Sequence, residues 1–131
     1  MNAPEVSKSL SIKVPIGDVI DRITILEVKL ELLKNEKQLI NVSNELESLR
    51  LDLAVSGVKV EQNLVSSLRE VNRAIFRLMD EVFKFTQVNM EYALVAKETV
   101  DLNIDRARLK REINLLSQSS LVEEKTFFEE L

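Results

Sequence analysis

The chain has 131 residues, 45% hydrophobic and 31% charged, with a net charge of −4 and neither Cys nor His. That length fits one domain, here 1–131, and the balance is that of a folded chain, while the acidic excess argues against general affinity for nucleic acid. Without Cys or His there is no disulfide framework, thiol nucleophile, imidazole base, Ser-His-Asp triad or zinc site of the usual ligands, and the Glu-x-x-His pattern of helical di-iron proteins is missing.

Two Gly and two Pro are the only strong breakers, so long helices are expected. Residues 1–11 are polar and expected to fray, with "SIKVP" as a short extended arm. The start has no apolar core of signal-peptide length, and no run approaches the roughly 18 apolar residues of a membrane span, so a cytoplasmic protein without membrane insertion is expected. A first helix is predicted over 18–34. Ile16, Val19, Ile23, Leu26, Leu30 and Leu33 form one apolar stripe, and Ile25, Val28 and Leu32 a second on a nearly opposite side. A helix with two apolar sides lies between neighbours. Asn35 is the predicted break, and a second helix follows over 36–55. Its single seam of Leu39, Val42, Leu46, Leu49 and Leu53 marks an outer helix. Gly57, in "SGVK", suits a C-terminal cap.

A third helix is predicted over 60–86. Phe76, Met79 and Phe83 widen its heptad-spaced stripe, so its second half needs cover on two sides. A fourth helix is predicted over 89–116, ended by "SQSS"; Ser120 and Glu123 then read as the capping box of a short final helix, "LVEEKTFFEEL". The fold class is all-α: an antiparallel, coiled-coil-like bundle of four main helices in two hairpins, the second longer, plus the short C-terminal helix. At 1.5 Å per residue the long pair spans roughly 40 Å and the short pair nearer 27 Å. Apolar surface is therefore left over, for the final helix or a second copy of the chain to cover, and a homodimer or higher homo-oligomer is expected.

"NIDRARLKREIN" (103–114) carries the most polar character and divides into two faces. Asp101, Asp105, Arg108 and Glu112 point to solvent, with Arg108 and Glu112 as a surface pair. Tyr92, Thr99, Asn103, Arg106, Lys110 and Asn114 follow one helical ridge between apolar sides. That ridge is either a structural polar network, inside the chain or between subunits, or an anion site in which Arg106 and Lys110 hold a phosphate or carboxylate. Asn72, in the middle of the third helix's apolar arc, needs partners, which Asn103 or Arg106 can supply. Glu27, on a line with Thr24 and Glu31, is the expected counter-charge for Arg106 or Lys110, Arg106 first. Glu27, Asn72, Asn103, Arg106 and Lys110 are thus the candidate site residues, with no catalytic set, metal ligands or cofactor expected.

The segments "IGDVIDRITILEVKLE" (16–31), "NVSNELESL" (41–49), "NIDRARLKREIN" and "VEEKTF" (122–127) resemble, in this order, a bacterial family of short all-helical proteins of unknown function. The resemblance implies a genetic setting near surface-polysaccharide and glycosyl-transfer genes for some members, and no activity. The family favours Ser where this chain has Pro15, and Asp where it has Ile104. Enzyme readings fit less well. "VIDRITILEVKLELL" echoes the first helix of all-helical chorismate mutases, but no second Arg stands at a suitable spacing from Arg22. "ETVD" (98–101) supplies one carboxylate box of a helical nucleotide pyrophosphohydrolase without its partner. Two functions remain: a self-associating helical scaffold or interaction protein with a polar-threaded interface, and a small-ligand module binding an anionic group such as a nucleotide-sugar or lipid phosphate.

Overall fold

The computed structural model describes residues 8–118 and places them in four helices, α1 (Ile16–Leu32), α2 (Glu36–Ser56), α3 (Gln62–Lys84) and α4 (Met90–Leu116), with no strand among the described residues. The final helix expected over "LVEEKTFFEEL" lies outside them. Residues 8–15 have no regular structure.

Local chemistry explains most of the helix ends. Asn35 Oδ1 accepts the Gln38 N–H at 3.0 Å and Asn89 Oδ1 accepts that of Tyr92 at 2.9 Å, so each Asn satisfies an orphan donor at a helix start. Gly57 ends α2 at φ +71°, a left-handed conformation that a side chain disfavours, and its N–H donates to the Ala54 carbonyl at 3.2 Å. Helix α1 starts two residues earlier than the periodicity predicts, at Ile16, and no side chain at the Pro15 cap position bonds to it. Its cap comes from elsewhere in the fold.

Helix α1 is central: it packs against α2, α3 and α4, and α3 packs against α4. This is the expected consequence of its two apolar sides. On one side Ile23 and Leu26 meet Val42 and Leu46, the only buried residues of α2, which is the expected outer helix. On the other, Ile20 meets Val65, Leu68 and Ile113 of α3 and α4. Leu53 of α2 packs against both clusters and joins them. Burial of each such side chain contributes roughly 1.5–3 kcal/mol. Contacts fix the register. Along α1 and α4 the numbers run in opposite senses, with Gly17 at Asn114, Asp18 at Lys110 and Asp21 at Arg106. Along α1 and α3 they rise together, with Glu27 at Arg69 and Glu31 at Arg73.

The mismatch in helix length leaves a tip. No residue from 73 to 98 is fully buried, although the stretch holds Ile75, Phe76, Met79, Val82, Phe83 and Leu94. Phe83 is 78% exposed and Leu94 64%. The α3 stripe of Val65, Leu68 and Asn72, which seats α1, continues as Ile75, Met79 and Phe83 past the point where α1 ends. A groove of about 300 Å³ lies there, lined by Ile25, Ile75, Phe76, Met79 and Phe83, with Asn72, Asp80 and Arg106 as its polar lining.

Candidate functional site

The polar ridge of α4 faces α1 and forms a ladder with it. At the first rung, Gly17 N–H donates to Asn114 Oδ1 at 2.6 Å. Asn114, 1% exposed, thereby caps the helix that Pro15 leaves uncapped. The Gly17 donor fixes the orientation of the Asn114 amide, whose Nδ2 is buried without a partner among the described residues. At the second rung Lys110 Nζ lies 2.9 Å from Asp18 Oδ1. That oxygen receives no well-directed hydrogen bond, so the contact is an ion pair alone.

The third rung is the densest. Arg106 grips Asp21 with two parallel bonds, Nε to Oδ1 at 2.8 Å and Nη2 to Oδ2 at 2.5 Å. Asn72 Nδ2 donates to Asp21 Oδ1 at 3.0 Å and to Thr24 Oγ1 at 2.9 Å. The Thr24 hydroxyl donates its own hydrogen bond to the Asp21 backbone carbonyl at 2.9 Å. Three helices thus converge on one carboxylate. Asp21, Thr24 and Asn72 are buried, and the Arg106 side chain is 30% exposed. A bidentate guanidinium–carboxylate pair is the geometry in which a buried charge is best compensated.

Burial by itself raises the Asp21 pKa, but hydrogen bonds from Arg106 and Asn72, with the charges of Arg106 and Lys110, outweigh it and hold the carboxyl below its ordinary 3.8. The folded value lies below the unfolded one, so the unfolded chain takes up the proton first on acidification. The stabilisation is complete above about pH 4, the unfolded value, and is lost as the pH falls from there through the folded value. Urea midpoints are therefore expected to fall below about pH 4, and to fall less in Asp21→Asn. A slope unchanged by Asp21→Asn would contradict this assignment. Some slope remains in the variant, because Glu45 and Glu31 are also lowered, chiefly by hydrogen bonds from Arg22 and Arg73.

The structure brings three of the five sequence-derived candidates into the ladder. Arg106 faces inward as expected, but its carboxylate partner is Asp21, not Glu27. Glu27 instead lies on the other flank of α1, where Arg69 Nη2 at 3.2 Å and Arg50 Nη2 at 3.3 Å share it. Asn72 finds its partners on α1, not at Asn103 or Arg106. Lys110 holds Asp18. Asn103 stays largely within its own helix, donating to the Thr99 carbonyl at 3.0 Å and accepting from Arg106 Nη1 at 3.4 Å. On the outer face Arg108 pairs with Asp105, at 3.1 Å, in place of Glu112. Asp18 and Asp21 escaped the sequence reading because acids in the first turns of a helix pass for helix-start residues. A signal was present: Gly17, Asp21, Thr24 and Val28 step by four, three and four along one face, and all are buried.

Among the described residues no group of three or more carboxylates could hold a metal ion, and no helix is long and apolar enough to cross a membrane. The fold and ladder define a class: an all-helical protein whose polar interior joins its own helices. Within that class, the chain belongs to the family of unknown function DUF6165, whose profile matches residues 10–130. Neither a search of curated proteins nor one of solved structures finds a match.

Proposed function

We propose that this protein is a self-associating helical scaffold, a single domain of the cytoplasm in which helices consecutive in the chain run antiparallel. The observation that carries the reading is the α3–α4 tip. Phe83, Val88, Met90 and Leu94 are all exposed there, more apolar surface in one region than the scattered single side chains of an ordinary monomer. The occupant of the tip groove is the tip of a second copy. The stripe that seats α1 at one end of α3 continues at the other without cover among the described residues, and a second tip brings the same stripe, so a two-fold contact closes on itself. The polar ladder then serves as the rigid foot of each protomer, and only its Asn72–Arg106 rung borders the contact between protomers. The anion-module reading on the α4 ridge is the weaker one, because Arg106 and Lys110 each already hold an aspartate.

Sedimentation velocity at micromolar concentration is expected to give a species heavier than a monomer. Phe83→Glu and Met79→Glu are expected to return it to monomer with helix content unchanged, since neither residue is fully buried in one chain. A monomeric wild type across that range would overturn the reading.

A further inference from the structure

A second concavity lies away from the tip, where α1, α2 and α3 meet the loop after Gly57. Its volume is about 510 Å³, within the range of small-molecule sites. The floor is apolar, formed by Ile20, Ile23, Leu53 and Val65, and the rim carries Arg50, Lys59, Arg69 and Glu27. Three cations less one carboxylate leave this rim at +2, in a chain whose net charge is −4. A positive hollow in an acidic protein is a local feature that the overall composition does not explain.

The way Glu27 is held points the same way. Arg50 and Arg69 each reach it through Nη2 alone, at 3.3 Å and 3.2 Å. Neither makes the paired contact that Arg106 makes with Asp21. The Nε and Nη1 donors of both guanidiniums are thus not spent on this carboxylate. Lys59 stands exposed on the loop beside them. Guanidinium forks match the oxygens of phosphate, and a dianion neutralises +2 where a single carboxylate would leave half of it. The apolar floor requires more than a bare ion.

We propose that this hollow binds an organic phosphate: a dianionic phosphomonoester head on the Arg50–Lys59–Arg69 rim, with an apolar body on the Ile20–Leu53–Val65 floor. A soluble metabolite and a lipid headgroup share that chemistry. The site does not include the tip, so its failure leaves the self-association reading standing, and the converse.

The test is titration calorimetry on the full chain with naphthyl phosphate, with inorganic phosphate and naphthol as single-feature controls. Naphthyl phosphate is expected to bind at least tenfold more tightly than either. Lys59→Glu and Arg50→Gln are each expected to weaken it at least tenfold, while Arg108→Gln, on the outer face of α4, leaves it unchanged. Both test residues are exposed, and Glu27 keeps Arg69 when Arg50 is replaced, so the variants are expected to fold; unchanged thermal midpoints check this. Co-sedimentation with phosphatidic acid vesicles, against phosphatidylcholine vesicles, separates the sources. Binding to both the vesicles and the soluble probe assigns a lipid headgroup, and binding to the soluble probe alone assigns a metabolite. No binding at millimolar naphthyl phosphate, or binding that Lys59→Glu and Arg50→Gln leave intact, overturns the proposal.

Discussion

Asp21→Ala is expected to cost about 3–5 kcal/mol of folding stability, the range found when one member of a buried pair is removed. The reason is not the loss of the pair's own attraction, which desolvation largely offsets. It is that Arg106 cannot discharge, and Asn72 keeps only Thr24 as a partner for its amide. Against a total of roughly 5–15 kcal/mol for a domain, this is a large fraction. Arg106→Ala is expected to cost a similar amount, because it strands a carboxylate that is almost wholly buried. Arg108→Ala, whose pair with Asp105 is exposed, is expected to change stability by less than about 0.5 kcal/mol. The double variant Asp21→Ala/Arg106→Ala should cost less than the two single changes added, with a coupling of about 1–3 kcal/mol. Urea unfolding of the four proteins measures all of this. A cycle that closes with no coupling would mean that the short, paired contact seen between these side chains does not govern the fold.

Gly17→Val is expected to be the second severe change, at about 2–4 kcal/mol, with Gly17→Ala milder but of the same sign. Helix propensity alone predicts the opposite, since Ala in place of Gly stabilises an open helix by about 1 kcal/mol. Here the added Cβ would overlap the Lys110 backbone carbonyl, which cannot swing aside as a side chain end could, and would also crowd Asn114 Oδ1. Overpacking of this kind costs about 1–3 kcal/mol. Any shift of α1 that relieves it stretches the Gly17 N–H bond to Asn114 and leaves a further buried polar atom unsatisfied, for a further ~1–3 kcal/mol. The sum exceeds the propensity gain. A Gly17→Ala protein more stable than wild type would show that the two helices can separate without penalty.

Much of the fold was legible in the sequence. Helix spacing is a property of local sequence, so the stripes located four helices, marked α1 as two-sided and marked α2 as outer. Asn35, Gly57 and Asn89 act on their own neighbours within three residues, which is why the break at Asn35, the cap at Gly57 and the helix start near Asn89 could be read. The inward aspect of the Arg106 ridge followed from the same geometry, and so did the surplus apolar length of α3.

Rotation about a helix axis is set by its own residues, but height along a neighbouring axis is not. Asp21 and Glu27 are both acids on α1, six residues or roughly 9 Å apart along the helix. Nothing within α1 says which of them lies opposite Arg106. That choice is made where the α1 backbone leaves no room for a side chain against α4, at Gly17 beside the Lys110 carbonyl, and this contact fits the register of the rungs above it. The same register sends Glu27 to the α2–α3 side and creates the positive hollow around it, a site that no local pattern announces because its cations come from two helices and a loop. Periodicity thus determined which faces look inward. Only the packing of backbone against backbone decided which charges meet.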